Sequence, residues 1–414
     1  MMKYKLFEQA LGLSEPWHIK SMDFLVEKKQ LNIEIDFKKG ASFHYDDGVI
    51  SGDFKAYDTV EKTYRHLNFF QHECFLHARI PRVDTGDSKP RLIKAPWSGK
   101  EKGFTLLFEA LLLELCEAMP VHKVANLVGV SDNKLWNMLE KYVNEALDNM
   151  DLSEIEQIGL DETSRAKGHE YITLFVDLAK RRTIYITEGK DSGTVNDFKV
   201  HLEAHGGKDK QISQVSCDMS PAFIKGVRTE FPNAEITYDK FHIIKIINKA
   251  VDEVRRQEVK SEKILKGTRY ALLKNEWNLT TKQSRMLNEL TMSKLNLKSL
   301  RAYHIRKKFQ EIYSAENESM FEELLKKWYF WATHSQLEPM KKAAKTIKNH
   351  LPGILKWYTS RINNGILEGL NSVIQAVKSR ARGYSSFRCF KIMAYLVTAK
   401  FDFNQTNSSA KPPT

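Results

Sequence analysis

Hydrophobic and polar positions change rhythm several times along the 414 residues. Over the first hundred they alternate every second residue, as in Ile33, Ile35 and Phe37, then Cys74, Leu76, Ala78 and Ile80. A period of two puts successive side chains on opposite faces of a strand, so this spacing predicts half-buried β-structure. The turn-rich stretches HYDDG and DTGDSKP interrupt it, and residues 1–100 read as a small β-rich domain. From Gly103 the period becomes helical. It predicts helices over 104–118, 121–127 and 132–147, the last with Leu135, Leu139, Tyr142 and Val143 on one face. Gly129-Val130-Ser131 forms the intervening turn, with Ser131 placed to cap the third helix. A short helix, a glycine turn and a longer helix make the helix-turn-helix pattern, assigned to residues 101–152. Any helical hairpin can share that pattern, so it leaves DNA binding open.

The rhythm then returns to strands. IEQIGLD, YITLFVD, TIYITEG, ISQVSCD and AEITYD are five apolar runs between 155 and 239, with helices near 193–205 and 220–230. This predicts an α/β domain over 153–240 built on a mixed five-stranded sheet. Residues 241–356 read as helix throughout, 357–403 contain two more helices, and the polar tail 404–414 is expected to be disordered.

Composition changes this picture only modestly. Lys and Arg outnumber Asp and Glu by 64 to 52, a formal charge of +12 that suits a polyanionic partner. The longest apolar stretch, Leu106 to Cys116, is short and carries Glu109 and Glu114, so a buried helix is expected and not a membrane span. The N-terminus has no apolar core of the signal-peptide kind. Four scattered cysteines form no Cys-x-x-Cys pair, which argues against a disulfide framework or a cysteine zinc site and points to a reducing cytoplasm.

Candidate chemistry lies in the carboxylates. Leu160-Asp161, Cys217-Asp218 and Tyr238-Asp239 each close an apolar run. If the first three strands form a meander and the fourth returns beside the first, strands one, four and five run parallel. Asp161, Asp218 and Asp239 then share one edge, where open α/β sheets place their sites. Asp177 ends an antiparallel strand and goes to the opposite edge. On a helical wheel of 364–378, Asn364, Glu368, Asn371, Gln375 and Lys378 share one face, while Ile366, Leu370, Val373, Ile374 and Val377 share the other. Crowded carboxylates repel, and a hard divalent cation relieves that repulsion. Two such ions about 4 Å apart would suit in-line attack on phosphorus. The bland alternative is that each aspartate is a turn or helix cap and Glu368 a solvated helix residue.

The stretches GFTLLFEALLLELCEAMPVHKVANLVGVSDNKLW, GLDETSRAKGHEYITLFVDL, VSCDMSPAFIKGVRTEFPNAEITYDKFH and NNGILEGLNSVIQAVKSRARGY are dense and long. With TYRHLNFFQHECFLHARIPRV, they make the chain resemble the ISL3 family of bacterial insertion-sequence transposases over nearly its whole length. The resemblance implies a ribonuclease-H-like core with a DDE triad, which falls here on Asp161, Asp218 and Glu368. It implies Mg2+ or Mn2+ as cofactor, two ions in number. Transposon terminal inverted repeats and target DNA would be partners, and a homo-oligomer would assemble on paired ends. The 218 − 161 = 57 positions between the aspartates accommodate the intervening strands and helix; the 368 − 218 = 150 to Glu368 require an insertion, met by residues 241–356. Related superfamilies carry a Cys-or-Asp, x, x, His signature, matched by Asp239 and His242, which together with Asn364 and Asn371 are expected to position the site or its DNA.

One departure concerns the N-terminal zinc ribbon that the resemblance implies. Its two cysteine pairs are replaced by SFHYDDG and RVDTGDSKP, and the spacing of His72, Cys74 and His77 suits strand decoration better than zinc. Lys378, Arg380 and Arg382 follow Glu368 as a phosphate-binding stretch, and Trp331 is a candidate for stacking on an unpaired base, although tryptophans at i,i+3 are more often core. A decayed DNA-binding regulator and a structure-selective nuclease on the same core are the alternative readings.

Overall fold

The computed structural model describes residues 4–86, 89–166, 170–293, 295–360 and 365–403. Asn364 and the tail 404–414 lie outside the described residues. The chain divides into two compact units, Met1–Met150 with Ile374–Thr414, and Asp151–Val373.

The first unit opens with α1 (Lys5–Ala10) and strands β1 (Trp17–Leu25), β2 (Gln30–Phe37), β3 (Ser42–Asp46), β4 (Ser51–Phe69), β5 (His72–Val83) and β6 (Arg91–Leu92). They form one sheet in the order β1-β2-β5-β4-β3, with β6 on β5. The expected alternation is what buries this sheet: Leu31, Ile33 and Ile35 of β2 and Cys74, Leu76, Ala78 and Ile80 of β5 lie in one core. Trp17 anchors that core, with ring centroids 5.6 Å from Phe37, 5.4 Å from Phe43 and 5.0 Å from Trp97. Phe43 belongs to one of the two stretches where ribbon cysteines were sought. His77 uses both ring nitrogens to hold its neighbours, Nδ1 with Thr63 Oγ1 at 3.0 Å and Nε2 with Asn32 Oδ1 at 2.9 Å.

Helices α2 (Leu106–Ala118), α3 (Val121–Val128) and α4 (Asp132–Asp148) follow. Thr105 caps α2, its hydroxyl accepting from Phe108 N–H, and Gly129 ends α3 at φ 70°, a left-handed conformation that glycine adopts freely. Ser131 does occupy the cap position of α4, but its side chain makes no capping bond, so the expectation of an N-capping serine fails in that detail. Glu109 is wholly buried: its carboxylate accepts from the N–H groups of Lys100 (2.8 Å) and Glu101 (2.6 Å) and from Tyr142 Oη (2.8 Å). Burial raises its pKa despite these donors.

The second unit holds β7 (Gln157–Ala166), β8 (Glu170–Asp177), β9 (Arg182–Glu188), α5 (Gly193–Ala204), β10 (Gln214–Cys217), α6 (Pro221–Glu230) and β11 (Glu235–Tyr238). The sheet order is β11-β10-β7-β8-β9, with β7–β8–β9 an antiparallel meander and β10 parallel to both β7 and β11. A helical segment follows: α7 (Lys240–Glu258), α8 (Arg269–Leu273), α9 (Thr281–Met292), α10 (Lys298–Ile312), α11 (Glu318–Thr333), α12 (Glu338–Asn349) and α13 (Leu351–Ser360). Its core contains Ile243, Ile247 and Val251 of α7, Phe309 of α10, and Phe321 and Trp328 of α11. The Trp328 indole donates to the Ile305 carbonyl at 2.8 Å, which accounts for that tryptophan as core. α13 packs beside β11, and Gly353 allows it: a Cβ there would stand 2.4 Å from the Tyr238 ring. Last come α14 (Gly365–Arg380), within which the division between the units falls, and α15 (Phe387–Thr398). In the first unit α15 contacts α4, and Arg388 Nε donates to Glu140 Oε1 at 2.7 Å.

Candidate active site

Strand register brings the aspartates together. β10 pairs with β7 so that Gln214 faces Gln157 and Ser216 faces Gly159, an offset of 214 − 157 = 57. β11 pairs with β10 so that Glu235 faces Gln214 and Tyr238 faces Cys217, an offset of 235 − 214 = 21. The same offsets separate Asp161 from Asp218 (57) and Asp218 from Asp239 (239 − 218 = 21), so the three acids stand in one row across neighbouring parallel strands. Asp218 and Asp239 follow the last residues of their strands, as expected. Asp161 does not: it lies inside β7, facing Leu174 of β8. The antiparallel ladder on that side continues to Ala166 after the parallel ladder on the other side has stopped. Asp177 faces Ile158, at the other end of β7, and its Oδ1 accepts from Lys180 N–H at 2.9 Å.

Local hydrogen bonds fix each carboxylate. Asp161 Oδ1 accepts from Glu162 N–H at 2.8 Å, and its Oδ2 accepts from Asn371 Nδ2. Asp218 Oδ1 accepts from Ser220 N–H at 2.9 Å, tightening the turn into α6. Asp239 Oδ1 caps α7 by accepting from Phe241 N–H at 2.8 Å, while its Oδ2 pairs with His242 Nδ1 at 2.8 Å. The bland reading of these aspartates as turn and cap residues is therefore half true, and it uses one oxygen of Asp218 and one of Asp239.

Glu368 sits in the first turn of α14. The helix docks there through Leu367, which is 4% exposed and packs with Val176 and Leu178. Gly159 provides the socket, since a Cβ on it would lie 2.9 Å from Leu367 Cδ2. This corrects the helical wheel. Leu367 was absent from the apolar face and is buried, whereas Val373 was assigned to it and is 42% exposed. At 3.6 residues per turn the apolar residues 366, 367, 370, 373, 374 and 377 span an arc of about 120°, with Val373 and Leu367 at its opposite edges. Which of them are covered depends on the surface they meet, and a wheel does not contain that surface.

The acids also share a field. Burial, with smaller contributions from Asp239 and Asp218, pushes the Asp161 pKa up to about 6, against opposing contributions from His242 and the Glu162 N–H. The hydrogen bond that His242 donates to Asp239 raises the His242 pKa; burial opposes it, and the charges of Asp239, Asp161 and Asp218 add to it. Burial raises Glu368, reinforced by Asp239 and opposed by His242. Asp239 and His242 thus act on both Asp161 and Glu368, and Glu368 is tied to the cluster through them.

Residues 158–394 match a protein family described as Transposase, and residues 93–143 match the helix-turn-helix domain of transposase family ISL3. This chain belongs to transposase family ISL3. It is similar to the transposase for insertion sequence element IS1001 of Bordetella parapertussis, 28% identical over 341 residues that cover 80% of this chain and 82% of the relative. It is also similar to the transposase for insertion sequence element IS1557 of Mycobacterium tuberculosis, 26% identical over 373 residues, 82% of each chain. As a DDE transposase the protein is a polynucleotidyl transferase that binds DNA and depends on a divalent metal. None of the described helices is long and apolar enough to cross a membrane.

Among the described residues of the transposase, no three acidic, histidine or cysteine side chains are drawn tightly enough together to hold an ion by themselves. The donors nevertheless fit a hard cation in kind. They are oxygens, they repel one another through Asp161, and Asn371 Oδ1 lies buried without a partner beside that carboxylate. A small divalent ion commonly takes one or two carboxylates and completes its shell with water and substrate phosphate.

Of the expected DNA-contacting residues of the transposase, Arg380 donates to the carbonyl of Ala118, the last residue of α2. Arg382 has a left-handed backbone, φ 58°, just beyond α14. Trp331 is 41% exposed, unlike its neighbour Trp328 at 3%. Asn364 is outside the described residues. Asn371, expected as a positioning residue, bonds directly to Asp161, a partner the sequence did not name; Leu367 was missed, and Gly159 beside the LDE motif was the available signal for it.

Proposed function

We propose that this transposase excises and rejoins an insertion-sequence element, with Asp161, Asp218 and Glu368 as its cation-holding acids. The observation that carries the reading is the register that sets Asp161 level with Asp218 inside the family-matched region. A meander followed by two parallel strands, a helical segment and a Glu-bearing helix supports a ribonuclease-H-like core interrupted by residues 241–356.

Two Mg2+ or Mn2+ ions, when bound, would acidify the attacking water or 3′-hydroxyl and stabilise charge on the leaving oxygen. Asp161 is the best-oriented donor, held by Glu162 N–H on one oxygen and Asn371 on the other. His242 is fixed at Nδ1 by Asp239 and carries more positive charge near neutrality than a free imidazole. That suits its Nε2 to a DNA phosphate beside the acids. In the first unit Lys378, Arg380 and Arg382 are phosphate-contacting residues, and in the second Trp331 is a stacking surface. The DNA partners are the element's terminal inverted repeats and a target duplex, bound by a homo-oligomer in the cytoplasm.

The test is Mg2+-dependent nicking and joining of DNA carrying the element's ends. Asp161→Asn, Asp218→Asn and Glu368→Gln should each lose both steps while circular dichroism and melting are retained. A substituted protein that still cleaves at the wild-type rate removes that residue from the triad. Cleavage without joining to plasmid target would favour a nuclease.

A further inference from the structure

We propose that Asn371 belongs to the cation site itself: its amide nitrogen fixes Asp161, and its amide oxygen supplies an uncharged ligand to the ion. The inference rests on the reading of Asp161 as a cation-holding acid and deepens it.

Two contacts of one side chain carry it. Asn371 Nδ2 donates to Asp161 Oδ2, which ties α14 to β7 across 210 residues of sequence. Asn371 Oδ1 is buried, and no hydrogen-bond donor among the described residues reaches it. A buried carbonyl oxygen without a donor or cation loses its hydration and gains nothing, so such atoms call for an explanation. Here the orphan belongs to the same amide that grips the Asp161 carboxylate. Asn371 also lies 371 − 368 = 3 positions after Glu368, so both occupy one face of α14.

The chemistry explains why an amide stands there. Asp161, Asp218 and Asp239 already share a row, and Glu368 is coupled to Asp239. Another carboxylate would add to that repulsion whenever the ion is absent. An amide adds an oxygen with no charge, and its nitrogen donates to a neighbouring carboxylate where a carboxylate could not. Hard divalent ions accept side-chain amide oxygens among their ligands. Asp161 and Asn371 would then act as a pair, each presenting one oxygen to the ion while held to the other.

The experiment is a Mn2+ titration of the full chain without DNA, read by electron paramagnetic resonance of free Mn2+ and by the metal-induced shift in melting temperature. Wild type, Asp161→Asn, Asn371→Leu and Asn371→Asp are compared. Asn371→Leu keeps the branched shape and removes both polar atoms, and it should weaken Mn2+ about tenfold or more. Asn371→Asp keeps an oxygen while losing the donor, so it should bind Mn2+ at least as tightly as wild type. Its apo form should melt lower and be restored by the metal.

Two results overturn the inference while leaving Asp161 in place: Asn371→Leu binding Mn2+ like wild type, or Asn371→Asp binding more weakly than Asn371→Leu. The first would assign the buried oxygen to a water, the second would make the donor alone important. If wild type and Asp161→Asn titrate identically, the reading of Asp161 fails and takes the inference with it.

Discussion

Gly159→Ala should injure both the fold and the chemistry of the second unit, although no catalytic atom is altered. The added methyl carbon would stand 2.9 Å from Leu178 Cδ2, 2.9 Å from Leu367 Cδ2 and 3.0 Å from Leu367 Cδ1. Carbon pairs rest at about 3.5–4.0 Å, so the leucines must retreat by roughly 0.5–1 Å. Both are buried, Leu178 at 6% and Leu367 at 4% exposure, which limits where they can go. Overpacking of this kind costs about 1–3 kcal/mol. Stiffening the unfolded chain returns about 0.4–1 kcal/mol. The net is a loss of roughly 1–2 kcal/mol, because the clashing atoms are side-chain ends and not backbone. For a unit of this size that is a melting shift of roughly 2–8 °C. Leu367 immediately precedes Glu368, so its retreat carries the acid with it. Misplacement near 1 Å can cost about a hundredfold in rate. Thermal melts and Mg2+-dependent cleavage of element-end DNA measure the two effects separately. Adding Leu367→Ala should relieve the clash, so the stability losses fall short of additive, while cleavage stays low because the anchor of α14 is gone. Unchanged melting and cleavage in Gly159→Ala, or strictly additive losses in the double variant, would refute the socket argument.

Other perturbations test the first unit. Burial, aided by the Arg65 charge, depresses the His66 pKa from 6.5 to about 4, and Nδ1 lies 2.9 Å from the Thr105 hydroxyl that caps α2. The folded state therefore prefers neutral His66, whose contribution is present above pH 6.5 and is lost as pH falls toward about 4. Roughly 2–3 kcal/mol should disappear across that window and be absent from the pH dependence of His66→Asn, read by urea midpoints. Gly99→Ala would set a methyl 2.3 Å from the Glu109 carboxyl carbon, expelling it from three hydrogen bonds. The loss should be about 3 kcal/mol or more in chemical denaturation, with weakened DNA binding. Because burial raises the Glu109 pKa, its own contribution is greatest below pH 4.5 and declines as pH rises through the folded value. The stability advantage of wild type over Glu109→Gln should shrink in the same direction.

Much of this was legible from spacing because period and chemistry agreed. The alternation in β2 and β5, the meander ahead of β10, and the row of Asp161, Asp218 and Asp239 all follow from runs of apolar residues closed by acids. Pattern reading failed where a partner decides. Asp161 falls inside β7 because β8 outlasts β10 beside it, which no property of residues 155–161 encodes. Leu367 is buried because Gly159 leaves room for it, while Val373 on the other edge of the apolar arc is 42% exposed. Glu109 looked like a charge interrupting an apolar helix, yet it organises the backbone of residues 100–101 from inside the unit. The bond from Asn371 to Asp161 joins segments too distant for any local period to pair.

Asp239 performs two mechanical duties with one carboxylate, seating the first turn of α7 and gripping the imidazole three residues on. The long helical segment is thereby hung from a pin at the rim of the acid row. Any displacement of that segment would turn the pin, and the ring would follow without the sheet having to bend.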